Sequence, residues 1–204
     1  MTKVFAGLFS WLISGIFQFQ SLESSLEIRR AFGFLFICVS IAVTLGAILS
    51  EIVFVNKIPS YYYAIVWVGS FATIVGIGFR KFSKVLPLIR QRMKNSIKWP
   101  KHISAINGIC WAGPFVAIGA FPHLLQYLIL LGIGLGNLST YVIMKKFSDQ
   151  DNKEQMIVGC VALVSIPIAV LIDTSLIQLQ DLAVMLSRIF IAISYAAGGI
   201  YARK

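Results

Sequence analysis

Six long apolar runs account for most of this chain, each closed off by polar or charged residues. They lie at about residues 31–55, 60–79, 103–121, 124–144, 155–172 and 182–202. Each approaches the roughly 20 residues that an α-helix needs to cross the hydrocarbon of a bilayer. Backbone amides find no water there, so such a run satisfies its own hydrogen bonds as a helix. Pro59 forbids a continuous helix between the first run and the second, and Phe121-Pro122-His123 makes a tight reversal between the third and the fourth. A further run at residues 4–19 is shorter. There Phe5, Leu8, Phe9, Leu12, Ile13 and Ile16 share one helical face, which predicts an interfacial amphipathic helix with Trp11 near the headgroups. A short or tilted span is the alternative for that segment. Ser24 or Ser25, followed by Glu27, supplies a helix start before the first long run. The pattern predicts an all-α integral membrane protein: six transmembrane helices plus a short N-terminal interfacial amphipathic helix, in one polytopic domain.

One polar stretch orients the rest. Residues 80–101 carry Arg80, Lys81, Lys84, Arg90, Arg92, Lys94, Lys98 and Lys101 and no acid. A block of like charge between two spans is expected on the cytoplasmic side. Val85, Leu86, Leu88, Ile89, Met93, Ile97 and Trp99 interleave with these cations. That pattern suits a loop on the membrane surface, its Lys and Arg stems snorkelling toward anionic headgroups. Pro87 and Pro100 limit the length of any helix there. Of the 18 Lys and Arg residues, all but Lys57 and Arg188 fall on that same side, so both termini are expected in the cytoplasm.

Composition agrees: 58% of the 204 residues are hydrophobic and 13% are charged, well below the roughly 25% charged residues of a soluble domain. The net charge of +10 raises the question of nucleic acid, but the cations sit at the ends of apolar runs, where membrane topology puts them. The expected partners are anionic lipid headgroups and other membrane subunits or further copies of the chain, with no nucleic acid. The expected location is the plasma membrane of a prokaryotic-type cell. Cys38, Cys110 and Cys160 each lie within an apolar run and form no C-x-x-C pair. No H-E-x-x-H, G-x-S-x-G or Walker sequence occurs, and His102 and His123 fall at opposite membrane faces. No enzyme activity, metal or cofactor is therefore expected.

The candidate functional residues are few. Arg188 lies about two turns inside the last run, and a charge within a span calls for a partner. Asp173 or Asp181 in the preceding loop, or Glu51 near the end of the first run, could pair with it; an anion or substrate contact is the other use. Pro114 and Pro167 interrupt the backbone hydrogen bonding of two runs, as a kink or as a helix break that exposes carbonyls. Gly132, Gly134 and Gly136 permit close helix approach. Two functions from different classes follow. One is a non-catalytic subunit or assembly factor of a larger membrane complex. The other is a small transporter or channel for an apolar, weakly charged or lipid substrate, with Asn107, Gln126 and Asn137 as lining groups.

Overall fold

The computed structural model describes residues 2–95, 99–148, 151–175 and 182–204, with side chains for all of these except 2–25, 88, 89 and 91–95. It is 93% helical, and no strand occurs among the described residues. The helices are α1 (Thr2–Val55), α2 (Tyr61–Ile77), α3 (Phe79–Asn95), α4 (Lys101–Ala120), α5 (Leu125–Ser148), α6 (Lys153–Ser175) and α7 (Ala183–Arg203). A 3-10 turn at Pro122–Leu124 joins α4 to α5. Five helical segments are long and apolar enough to cross a membrane, or six if α2 and the start of α3 form one bent span. That is the make-up of a multi-pass membrane protein.

The N-terminal helix differs from expectation. Residues 4–19 do not form a separate helix; α1 continues through the polar segment as one element of 54 residues. Residues 20–30 are polar but contain neither glycine nor proline, so the backbone has no reason to stop there. Only its Leu26–Val55 part qualifies as a span. The face that residues 4–19 present, including Trp11, lies outside the described side chains. At the other end, α1 closes in a Schellman motif. The Ile58 amide donates to the Val53 carbonyl at 3.0 Å and the Lys57 amide to Phe54 at 3.1 Å. Lys57 takes the left-handed position with φ 52°.

The basic segment is also more helical than expected. At Gly78 the chain axis turns by 84°, and α3 sets off nearly perpendicular to α2. Phe82 folds back over Gly78, where a Cβ would come within 2.9 Å of its ring. Helix α3 runs through Pro87 rather than ending there. Its buried Phe82 and Val85 turn toward α1, the Phe82 ring meeting Phe34 edge-on at 5.0 Å, while Arg80, Lys81 and Lys84 stay exposed.

The helices pack in a row, α2–α1–α7–α6–α5–α4, with α5 also touching α7. The core lies among α1, α5, α6 and α7, around Val43, Leu130, Ala169, Ile191 and Ala192. One end of the bundle gathers Arg29, Arg30, α3, Lys101, Lys145, Lys146, Arg203 and Lys204. Arg29 ties the start of the α1 span to the end of α7, donating to the Tyr201 carbonyl at 3.1 Å and lying 4.7 Å over its ring. The opposite end carries Lys57, the stacked and exposed Tyr61 and Tyr62, and His123.

Missing side chains set the closest crossings. A Cβ on Gly132 would stand 2.7 Å from the Phe115 ring of α4, and one on Gly136 would run into the Trp111 ring. A Cβ on the intervening Gly134 would stand 2.5 Å from Leu163 of α6. The three glycines of α5 thus alternate between its two neighbours. At the α1–α7 crossing, Gly33 and Gly199 play the same part: a Cβ on either would come within about 3 Å of the other's carbonyl oxygen. Gly136→Ala is expected to destabilise the protein by about 1–3 kcal/mol, as overpacking does. Gly69→Ala, where nothing lies within 4 Å, should cost nothing. Unfolding of both variants in mild detergent, by heat or by SDS titration, checks this, and equal behaviour would remove the glycines from the argument.

Candidate functional site

Arg188 sits in the second turn of α7, half-buried, with its guanidinium carbon 5.6 Å from the centre of the Trp67 ring on α2. That distance is within the range of a cation–π contact. The indole is held there by Gly46 of α1, where a Cβ would come within 2.8 Å of the ring. Glycine on α1, tryptophan on α2 and arginine on α7 therefore form one stacked joint. Glu51 and Tyr63 lie close enough to act on Arg188 electrostatically. Neither makes an ion pair with it; the one ion pair among the described residues is Lys153–Asp151 at 3.3 Å. Asp173 is engaged elsewhere, accepting hydrogen bonds from Gln126 Nε2 at 3.1 Å and from the Tyr127 hydroxyl. Asp181 lies outside the described residues. The sequence marked Arg188 but pointed to carboxylates as its partners, not to an aromatic ring.

The groups that could have lined a pore are engaged within the bundle, two of them between helices. Asn107 Oδ1 of α4 lies 2.7 Å from the Ser139 hydroxyl and 3.1 Å from the Thr140 hydroxyl of α5. Trp111 Nε1 donates to Thr140 Oγ1 at 3.0 Å. Asn137 is buried and donates to the Ile133 carbonyl at 2.8 Å, and Gln126 bridges to Asp173 on α6. The seam between α5 and α7, bounded by Gln126, Ile129, Ser187 and Arg188, leaves no room for a water molecule.

Neither proline ends its helix. Pro114 is the buried residue of α4, and Pro167 faces outward on α6. Cys38 is buried, Cys110 partly so and Cys160 exposed. His102 and His123 lie at opposite ends of α4, and no group of three metal-binding side chains occurs among the described residues. Of the basic stretch, Arg80, Lys81, Lys84 and Arg90 are exposed on α3 and Lys101 at the start of α4. The side chains of Arg92 and Lys94, and Lys98 altogether, lie outside the described set.

The other feature is the outer face of α4, a helix that among the described residues packs mainly on α5 and the adjoining 3-10 turn. Ser104, Gly108 and Ala112, spaced four apart, are all exposed, as are Ala105 and Gly119 on the same side. A Cβ at Gly108 or Gly119 would meet nothing within 4 Å. Only the packing shows which of the small residues on α4 are left uncovered.

A double-mutant cycle on Trp67→Phe and Arg188→Gln, read from unfolding in detergent, should return a coupling of about 0.5–2 kcal/mol, the range of cation–π pairs. Additive costs would mean that Arg188 and Trp67 stabilise the protein independently.

No protein-family model, curated protein or solved structure matches this chain.

Proposed function

We propose that this protein is a non-catalytic subunit or assembly factor of a larger membrane complex, with its basic end in the cytoplasm. The observation that carries the reading is the outer face of α4. In lipid, no hydrophobic effect drives helices together, so association depends on close backbone approach at small residues. Ser104, Gly108 and Ala112 offer that approach at four-residue spacing, on the flank of α4 next to the stripe that grips α5. Small residues on this flank leave room for a second helix to approach, and none covers it among the described residues.

Transport is the weaker reading. A permeating solute needs polar groups along its path, and Asn107 and Gln126 are engaged in contacts between helices, Asn137 in its own. Arg188 faces an aromatic ring beside a seam without space. The orientation rests on charge. The basic end carries α3 and most of the cations, and Lys and Arg accumulate on the cytoplasmic side of membrane proteins.

In a background lacking the native cysteines, a cysteine at His123 should react with a membrane-impermeant maleimide on intact cells. One at Lys101 should react only after permeabilisation. The reverse pattern would invert the topology. For assembly, the intact mass of the tagged protein, extracted in native membrane patches, should exceed its 22.6 kDa. Gly108→Leu combined with Ala112→Leu should abolish the larger species and leave the amount of protein unchanged. A wild-type chain that is alone in the patch would sink the subunit reading and shift attention to flux assays.

A further inference from the structure

At the basic end, α1, α3 and α7 surround an open cavity of about 620 Å³. Three cations from three different helices line it: Arg30, Lys81 and Arg203. One carboxylate, Glu27, shares the wall. None of the four is within ion-pair distance of an opposite charge among the described residues. The convergence extends inward, because Lys81 and Arg203 both act electrostatically on Cys38, one turn deeper than Phe34 along α1. Phe34 and Val85 line the cavity beside these charges, and Lys81 Nζ stands 4.8 Å from the centre of the Phe34 ring.

Like charges held together cost free energy unless something compensates them. Arg29, the neighbour of Arg30, is already engaged with Tyr201 at the end of α7. Among the described residues, Arg30, Lys81 and Arg203 meet no carboxylate at ion-pair distance, and Lys81 has only the Phe34 ring. A ligand that balances them must carry negative charge, accept hydrogen bonds from a guanidinium fork, and tolerate an aromatic and a valine side chain alongside. A phosphate ester on an apolar body meets all three conditions.

We infer that this cavity binds a phosphate-bearing anion, held by Arg30, Lys81 and Arg203, and that the anion is the headgroup of an acidic phospholipid. The apolar wall and the position of the cavity, where the apolar spans give way to the perpendicular helix α3, favour a lipid over a soluble phosphate. Phe34 and Val85 receive the first part of the acyl region, and Glu27 sets the limit on how much negative charge the site accepts. Helix α3 closes one side of the cavity, so occupancy also fastens α3 to the bundle. The inference does not depend on the subunit reading: a solitary protein would keep the site.

The test uses the full chain, purified in neutral detergent and titrated with phosphatidylglycerol or phosphatidylcholine, with bound lipid counted by native mass spectrometry and the melting temperature followed in parallel. Phosphatidylglycerol should remain bound and raise the melting temperature; phosphatidylcholine should do neither. Each of Lys81→Gln and Arg203→Gln should weaken phosphatidylglycerol binding by about fivefold, as expected for one cation near an anionic surface. Lys57→Gln, the same charge change at the opposite end, should leave it unchanged. Lys81 is exposed, so its variant tests the site without threatening the fold. Inorganic phosphate should not compete; competition that displaces the lipid would make the source a soluble phosphate ester and overturn the lipid assignment. Equal phosphatidylglycerol binding by the wild type, Lys81→Gln and Arg203→Gln would overturn the site itself.

Discussion

At five glycines in this bundle, neighbouring helices fill the space where a side chain is missing. Gly132 and Gly136 admit the Phe115 and Trp111 rings from α4, Gly134 admits Leu163 from α6, and Gly33 and Gly199 bring α1 and α7 together. Hydrophobic burial cannot drive this association in a bilayer, since lipid is as apolar as the helix surface. What remains is dispersion at close range and the hydrogen bonds that close approach permits. The polar joints depend on the glycines in this sense. Trp111 reaches the Thr140 hydroxyl because its ring lies over Gly136, one turn earlier on the same helix. A bulkier α5 would push α4 away and leave Asn107, Ser139 and Thr140 partly unpaired in hydrocarbon, where an unpaired polar group is costly.

The sequence showed the helices more clearly than their ends or their neighbours. The runs read at residues 103–121 and 182–202 differ from Lys101–Ala120 and Ala183–Arg203 by two residues at most. A long apolar segment in lipid has one way to satisfy its backbone, so period and length suffice. Polarity misled at residues 20–30. Charge there marked a boundary of the hydrocarbon, but the helix stops only where backbone geometry demands it, and Pro59 is the first proline in the chain. Proline limited the helices less than expected at Pro87, while Pro114 and Pro167 fit the reading of a kink within a span rather than a break. Pro87, Pro114 and Pro167 all lie inside continuous helices, since losing one hydrogen bond does not end a helix that packing or lipid supports on both sides.

The site was less legible because it depends on which helices meet. Arg188 stood out as a charge within a span, and carboxylates were the obvious partners by chemistry. The fold brings α2 beside α1 and turns Trp67 into the notch at Gly46, so the charge meets a π face instead. Nothing local to Trp67 signals that role. Likewise Arg30 and Arg203 are separated by most of the chain and read individually as the charged ends of spans. They become one wall of a cavity only because α1 and α7 cross at glycines and place those ends side by side.

The outer face of α4 follows from the same constraint. A helix held by shape alone could roll on its neighbour and present different residues to the outside. Helix α4 is held by directional contacts: Asn107 and Trp111, four residues apart, both reach α5 hydroxyls, and Phe115, four further on, fills the space over Gly132. Residues 107, 111 and 115 define one stripe, and a helix that fixes one stripe fixes its rotation. Ser104, Gly108 and Ala112 then lie beside that stripe and stay uncovered by the described helices of this chain. The polar joints that make α4 a poor lining for a pore make it a rigid presenter of small residues, and rigidity lowers the ordering cost of docking a partner helix.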